Sequence, residues 1–237
     1  ILSKCPLGFD KNVFSNPNPE PNSDSESNSV PNPQGQYYCS VGSNNAFGRE
    51  IAETAYKLCL KAGIIISGMN AEVAPGQWEL QVGPCEGINA GDSLQITRYI
   101  LHRVGELYNV QINYEPKPIE GTWNGSGCHA NFSTKQMREG TENKTGMEYI
   151  EEAIQKLEVN HVEHMKNYGK GNEDRMSGAY ETSSYNSFSY GVADRGASIR
   201  IPQNTKANNK GYFEDRRPAA NVNPYLVIGK IFETISS

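Results

Sequence analysis

Apolar residues recur at helical spacing in three stretches of the chain and cluster at β-type spacing in others. In "SNNAFGREIAETAYKLCLKAG" the positions Phe47, Ile51, Ala55 and Leu58 fall on one stripe, which predicts a helix capped by Ser43 or Asn44 and stopped by Gly63. A second helix is expected over residues 92–108. A third is expected from near Met147 to Tyr168, with Tyr149, Ile150, Ala153, Ile154, Leu157, His161, His164, Met165 and Tyr168 on its stripe. "QYYCSV", "GIIISGMNAEV" and residues 110–114 read as strands. By contrast "SNPNPEPNSDSESNSVPNPQ", residues 15–34, has Val30 as its only large apolar side chain, so it cannot offset its ordering entropy and is expected to be a loosely held insertion.

Composition narrows the classes without naming one. The chain has 237 residues and a formal net charge of −5, with no basic field of the kind that neutralises nucleic-acid phosphates, so a nucleic-acid partner is not expected. No run approaches the roughly 18 apolar residues of a membrane span, which predicts a soluble protein with no membrane partner. The five cysteines are widely spaced and contain no C-x-x-C pair, which points to a reducing, cytoplasmic setting. Sequons at Asn124, Asn131 and Asn143 arise readily by chance in so asparagine-rich a chain. The first residue is Ile1, from which a piece of a longer chain or a processed product is expected.

Four segments carry polar groups suited to chemistry. In "NAEVAPGQWELQVGP" the Pro-Gly pair predicts a tight turn over residues 74–77, which sets Glu72 opposite Glu79 on one face of a hairpin. Facing carboxylates repel, and three readings follow: a divalent cation between them, a general acid and base, or a solvated surface pair. "KPIEGTWNGSGCHANFS" brings three glycines ahead of His129, which allows close backbone approach to an anion or simply makes a turn; it lacks the lysine order of a Walker loop. In "GVADRGASIRIPQ" and "GYFEDRRPAAN", Arg195, Arg200, Arg216 and Arg217 are spaced for carboxylate or phosphate recognition, with surface ion pairing as the plainer alternative, and Glu214 beside them is a possible metal ligand. His161 and His164 form an H-x-x-H on a helix but continue its apolar stripe, so they are expected to be packed or hydrogen-bonded. Taken together, the segments make phosphoryl transfer the coherent chemistry.

In order over residues 33–224, "NPQGQYYCSVG", "NAEVAPGQWELQVGPCEG", "KPIEGTWNGSGCHANFSTKQMRE", "YETSSYNSFSYGVADRGASIRIP" and "KGYFEDRRPAANVNP" resemble the glutamine synthetases, in their eukaryotic-type branch. The resemblance implies an α+β fold in which a curved, mainly antiparallel sheet is backed by helices. It also implies an ATP-dependent ligase that joins glutamate and ammonia through a γ-glutamyl phosphate. Two or more Mg²⁺ or Mn²⁺ ions are implied per site, one matched by Glu72 and Glu79 and another by His129 and Glu214. Glu79, Asn131, Phe132, Ser133, Arg195, Arg200 and Tyr212 match the positions that hold ATP. Trp123, Asn124, Gly125, Arg175, Arg195 and Arg216 match those around glutamate. Glu181 and Arg195 match catalytic positions, Glu181 on a flap that excludes water and helps deprotonate ammonium. Tyr180 stands before it where eukaryotic-type members often have histidine.

The domain reading is an opening piece with the insertion at residues 1–34, followed by a catalytic domain at residues 35–237. The family's N-terminal β-grasp domain, its E-x-E metal ligands and an ammonium-binding aspartate are not seen ahead of Ile1, so this chain alone is expected to be inactive. The intact protein is expected to be a cytoplasmic homo-oligomer of stacked rings, a decamer. The rival readings are an inactive structural relative and a γ-glutamyl-amine synthetase. Retention of Glu72, Glu79, His129, Glu181 and Glu214 favours the active enzyme over the first of these.

Overall fold

The computed structural model describes residues 6–9 and 36–237. The Asn/Pro/Ser-rich stretch at residues 15–34 lies outside the described residues. Two compact units divide the chain, the first holding the described residues up to Glu86 together with 92–112, the second holding 87–91 and 113–237.

In the first unit, helix α1 (Arg49–Lys61) buries Ala52, Ala55 and Cys59. Its expected start is corrected. Residues 43–47 form turns, and the cap is Gly48 with no side-chain bond, so neither Ser43 nor Asn44 begins the helix. The buried stripe shifts with it, leaving Leu58 exposed. Gly63 does stop α1: at φ 80° it adopts the left-handed turn, and amides of Gly63 and Ile64 return to the carbonyls of Leu60 and Cys59. "QYYCSV" is not a strand. Ser40 N–H donates to Tyr37 O to make a turn, and Cys39 N–H donates to the carbonyl of the strand residue Ala71.

Strands β1 (Ile66–Ala71) and β2 (Trp78–Val82) form an antiparallel hairpin. The expected turn is present, with Gln77 N–H donating to Ala74 O at 3.1 Å. Its register differs from the expectation, because Glu72 N–H also donates to Gln77 O and Asn70 stands opposite Glu79. Helix α2 (Asn89–Leu107) lies mostly in this unit, buries Val104, and supplies Ile100 to a core shared with Cys59, Ile64 and Ile66. Asn109 at φ 54° ends it, and residues 110–114 run on without the strand pairing expected there.

The second unit is built on a four-stranded sheet ordered β3 (Ala130–Phe132), β6 (Phe213–Asp215), β5 (Ile199–Ile201), β4 (Tyr190–Val192). The β3/β6 and β6/β5 pairs are antiparallel and the β5/β4 pair is parallel, so the sheet is mixed. Short helices α3 (Lys135–Glu139), α6 (Asn172–Arg175) and α7 (Gln203–Asn208) fill the connections. Helix α4 (Gly146–Val159) begins at a capping box in which Thr145 and Glu148 satisfy each other's amides. The single helix expected to Tyr168 is broken at Asn160 into α4 and α5 (His161–Met165), while the buried stripe runs through both. Helix α8 (Pro224–Ser236) starts from an Asn223 cap with proline in its first turn. Ile150, Ile154 and Leu157 of α4, Met165 of α5 and Val227 and Ile231 of α8 pack with Ile199, Ile201 and Phe213 in one core, so helices back one face of the sheet. Helices and mixed sheets together make the class α+β.

Candidate active site

Strand alternation divides the second unit's polar residues between two faces. Pairing sets Asn131 opposite Glu214 and Glu214 opposite Arg200, while Phe213, Ile199 and Ile201 occupy the intervening positions that enter the helix-backed core. His129 and Arg216 share the parity of Asn131 and Glu214. The result is one sheet face that gathers a carboxylate, an imidazole and two guanidinium groups.

Glu214 is 4% exposed and is the centre of that face. His129 Nδ1 and Arg216 Nη1 each lie 3.1 Å from its Oε1, and Arg200 Nε pairs with its Oε2. Burial alone would raise the Glu214 pKa, but His129, Arg216 and Arg200 overcome it and hold the carboxyl below the usual range. Desolvation lowers the His129 pKa, and the charges of Arg216 and Arg175 add to this against the pull of Glu214.

The glycine loop leaves room beside these groups. A Cβ on Gly127 would stand 2.8 Å from His129 Nε2 and 2.9 Å from Arg175 Nη1, and one on Gly125 would strike Pro116 O and Arg175 Cγ. Only glycine fits at either position. Arg175 is buried and fixed: its Nε donates to Asn172 Oδ1, and its Nη2 donates to the carbonyls of Arg216, Arg217 and Pro218. Burial, then the Arg216 charge, lowers it to about 10, which still leaves it cationic at neutral pH. Asn124 Oδ1 and Arg216 Nε are buried without a hydrogen-bond partner. Such orphaned groups are costly unless a ligand completes them.

Residues 177–184 form a loop pinched by a backbone bridge between Ser177 and Ser184, with Tyr180 and Glu181 at its tip. Both are left-handed, at φ 53° and 62°, which costs non-glycine residues roughly 1–2 kcal/mol each and needs outside support. Arg195 Nη2 supplies some of it, 3.1 Å from the Glu181 carboxylate, and Arg216 Nη2 donates to Glu181 O. Of the expected nucleotide positions, Phe132 packs on Phe213 at 5.7 Å, Ser133 Oγ donates to Gly211 O, and Tyr212 is partly exposed. Trp123 O accepts a bond from Lys117 Nζ, whose pKa burial lowers.

In the first unit Glu72 and Glu79 are diagonal neighbours rather than direct partners. A shift of two in the summed register preserves side-chain parity, so both stay on one face, where diagonal contacts remain within reach of long side chains. Burial first, then the hydrogen bond and charge of Glu79, push Glu72 up to about 7, against donors from Asn70 and Val73. A carboxyl raised by another carboxyl suits a shared proton or a hard cation, so the pair fits a divalent metal. His129 and Glu214 also fit, as nitrogen and oxygen donors converging at 3.1 Å. Among the described residues no group of three or more His, Cys, Asp or Glu gathers at one point, so each pair offers two ligands.

Two sequence expectations meet different fates. His161 and His164 are structural as expected: His164 bonds Tyr168 and Thr234 through its two nitrogens, and His161 bonds Tyr185 O and Arg217. Arg217 is corrected. It is wholly buried on the opposite face from Arg216, paired with Asp215 at 2.7 Å and flanked by the rings of Tyr168 and Phe188. The two-residue alternation of β6, continued into residues 216 and 217, carries that information. Lys117 received no role from the sequence, because the carbonyls it binds are backbone groups with no residue signature.

Residues 9–155 match the family model described as "Glutamine synthetase, catalytic domain". The chain belongs to the glutamine synthetase family. It is 56% identical over 207 residues to a glutamine synthetase of Neurospora crassa, covering 87% of this chain and 56% of that relative. A glutamine synthetase of Candida glabrata is 57% identical over 205 residues, covering 86% and 54%. "Glutamine synthetase cytosolic isozyme 1-1" of Oryza sativa is 55% identical over 204 residues, covering 86% and 56%. The chain spans about half the length of these curated relatives. Within the glutamine synthetase family the matched stretch includes the hairpin carboxylates and the glycine loop with His129. The four described cysteines are free thiols, and among the described residues no helix is long and apolar enough to cross a membrane.

Proposed function

We propose that the protein to which this chain belongs joins glutamate and ammonia to make glutamine at the expense of ATP. The observation that supports this most strongly is the face bearing Glu214, His129, Arg200 and Arg216, in a chain of the glutamine synthetase family. Residues 35–237 are then a catalytic domain whose sheet is curved and mainly antiparallel, with residues 1–34 an opening piece and insertion. The intact protein is a homo-oligomer of stacked rings, a decamer, and its location is the cytoplasm. The relatives from rice and carrot named cytosolic isozymes are consistent with that location.

In the first step a glutamate γ-carboxylate oxygen attacks the γ-phosphorus of ATP, the bond to ADP breaks, and γ-glutamyl phosphate forms. Arg195 and Arg200 offset the charge on the transferring group, while Asn131, Ser133, Glu79 and Tyr212 hold the nucleotide together with the backbone of Phe132, whose ring packs on Phe213. Trp123, Asn124, Gly125, Arg175 and Arg216 orient glutamate, and the unpaired Asn124 Oδ1 and Arg216 Nε are free to meet it. Glu72 with Glu79 and His129 with Glu214 would hold Mg²⁺ or Mn²⁺, which supplies neutralisation of phosphate charge when bound.

In the second step Glu181 takes a proton from ammonium, ammonia attacks the acyl carbon, and phosphate leaves. The lid at residues 177–184 keeps water from that carbon. The test is glutamine formation by the intact protein with ATP, glutamate, ammonium and Mg²⁺. Substitution of Glu181→Ala should lower glutamine formation by at least about 100-fold, the usual worth of a positioned acid or base. Full retention of turnover would remove Glu181 from the mechanism.

A further inference from the structure

The lid tip meets three cations, and one of them has no part in the chemistry above. Arg195 takes the Glu181 carboxylate and Arg216 the Glu181 carbonyl. The third is Lys117. Its ammonium donates to Gly121 O at 3.1 Å and to Trp123 O, and lies 5.2 Å from the centre of the Tyr180 ring. Two of its hydrogen bonds therefore fix the loop that carries Trp123, Asn124 and Gly125, and its charge faces the ring of the residue just before Glu181. Tyr180 is 39% exposed and left-handed, so the contact of its ring with Lys117 supports a backbone conformation that is costly by itself.

We infer that Lys117 is a positioning residue that latches the lid to the glycine loop through the face of the Tyr180 ring, and so fixes where Glu181 stands. The inference rests on the reading of residues 177–184 as the lid of the ligase. Its consequence is shielding. With the latch lost, water reaches the acyl phosphate, its oxygen bonds to the acyl carbon, the bond from that carbon to the phosphate oxygen breaks, and glutamate and phosphate result. ATP is then consumed without glutamine.

Hydrogen exchange on this chain tests the latch apart from any activity. Lys117→Met and Tyr180→Leu should each speed amide exchange within residues 177–184 several-fold, whereas Tyr180→Phe, which keeps the ring face, should leave it unchanged. Unchanged exchange in either of the first two variants overturns the latch, as does equal acceleration in Tyr180→Phe. In the intact protein the ratio of ADP to glutamine formed should rise several-fold in Tyr180→Leu and stay near unity in Tyr180→Phe. A ratio unmoved in Tyr180→Leu overturns the shielding role. Failure of the unsubstituted intact protein to make glutamine would instead overturn the functional reading, and the exchange result would still decide the latch.

Discussion

Glu72 and Glu79 sit side by side because the hairpin turn and strand period put them on one face, and burial of Glu72 first, then the hydrogen bond and charge of Glu79, raise its pKa. A carboxyl raised from 4.5 to about 7 favours the protonated form in the fold. Its contribution to stability is complete below the unfolded value and is lost as pH rises through about 7. With metal chelated, Glu72→Gln should therefore gain stability over the parent at pH 8, by up to about 1 kcal/mol or roughly 2–4 °C in Tm, and little at pH 5. Thermal melts at the two pH values check this, and an equal difference at both would contradict it. His164 behaves in the opposite sense. Burial first, then the Arg217 charge, depresses it to about 4, so its stabilising contribution is present above its ordinary value of 6.5 and is lost as pH falls towards 4. His164→Gln should flatten the acid limb of the stability profile between pH 6.5 and 4, as followed by urea unfolding.

At the level of elements, β6 and the two residues that follow it separate chemistry from support. Glu214 and Arg216 face the site, while Asp215 and Arg217 form a fully buried pair behind it, completed by Tyr168 Oη donating to Asp215. Removing one partner leaves the other charged and buried, so Asp215→Asn should cost about 3–5 kcal/mol in denaturant unfolding. Thr145→Ala, which opens the capping box of α4, should cost about 1 kcal/mol. Helices were legible where an apolar stripe was long, as over Ile150 to Leu157. The break at Asn160 was not, because the stripe continues across it. The strand expected in "QYYCSV" failed for a related reason: its aromatic residues suit a strand, but Tyr37 is buried in a turn. The hairpin turn was visible through Pro75 and Gly76, whereas its register depended on backbone bonds that no side chain announces.

At the scale of the whole molecule, the ligand types of the site were legible and their partners largely were not. Glu72, Glu79, His129 and Glu214 stood out as residue types in sequence blocks. The ring of Arg200, Arg216 and His129 around Glu214 is visible only with strand pairing, and parity alone separates Arg217 from Arg216. The central claim is that glutamate is activated as an acyl phosphate before ammonia attacks. Supplying the intact protein with glutamate labelled with ¹⁸O in its γ-carboxylate tests this directly, through the isotope content of the inorganic phosphate released with glutamine. The account predicts transfer of one ¹⁸O atom from fully labelled carboxylate to phosphate for each glutamine formed; unlabelled phosphate accompanying normal glutamine formation would contradict it.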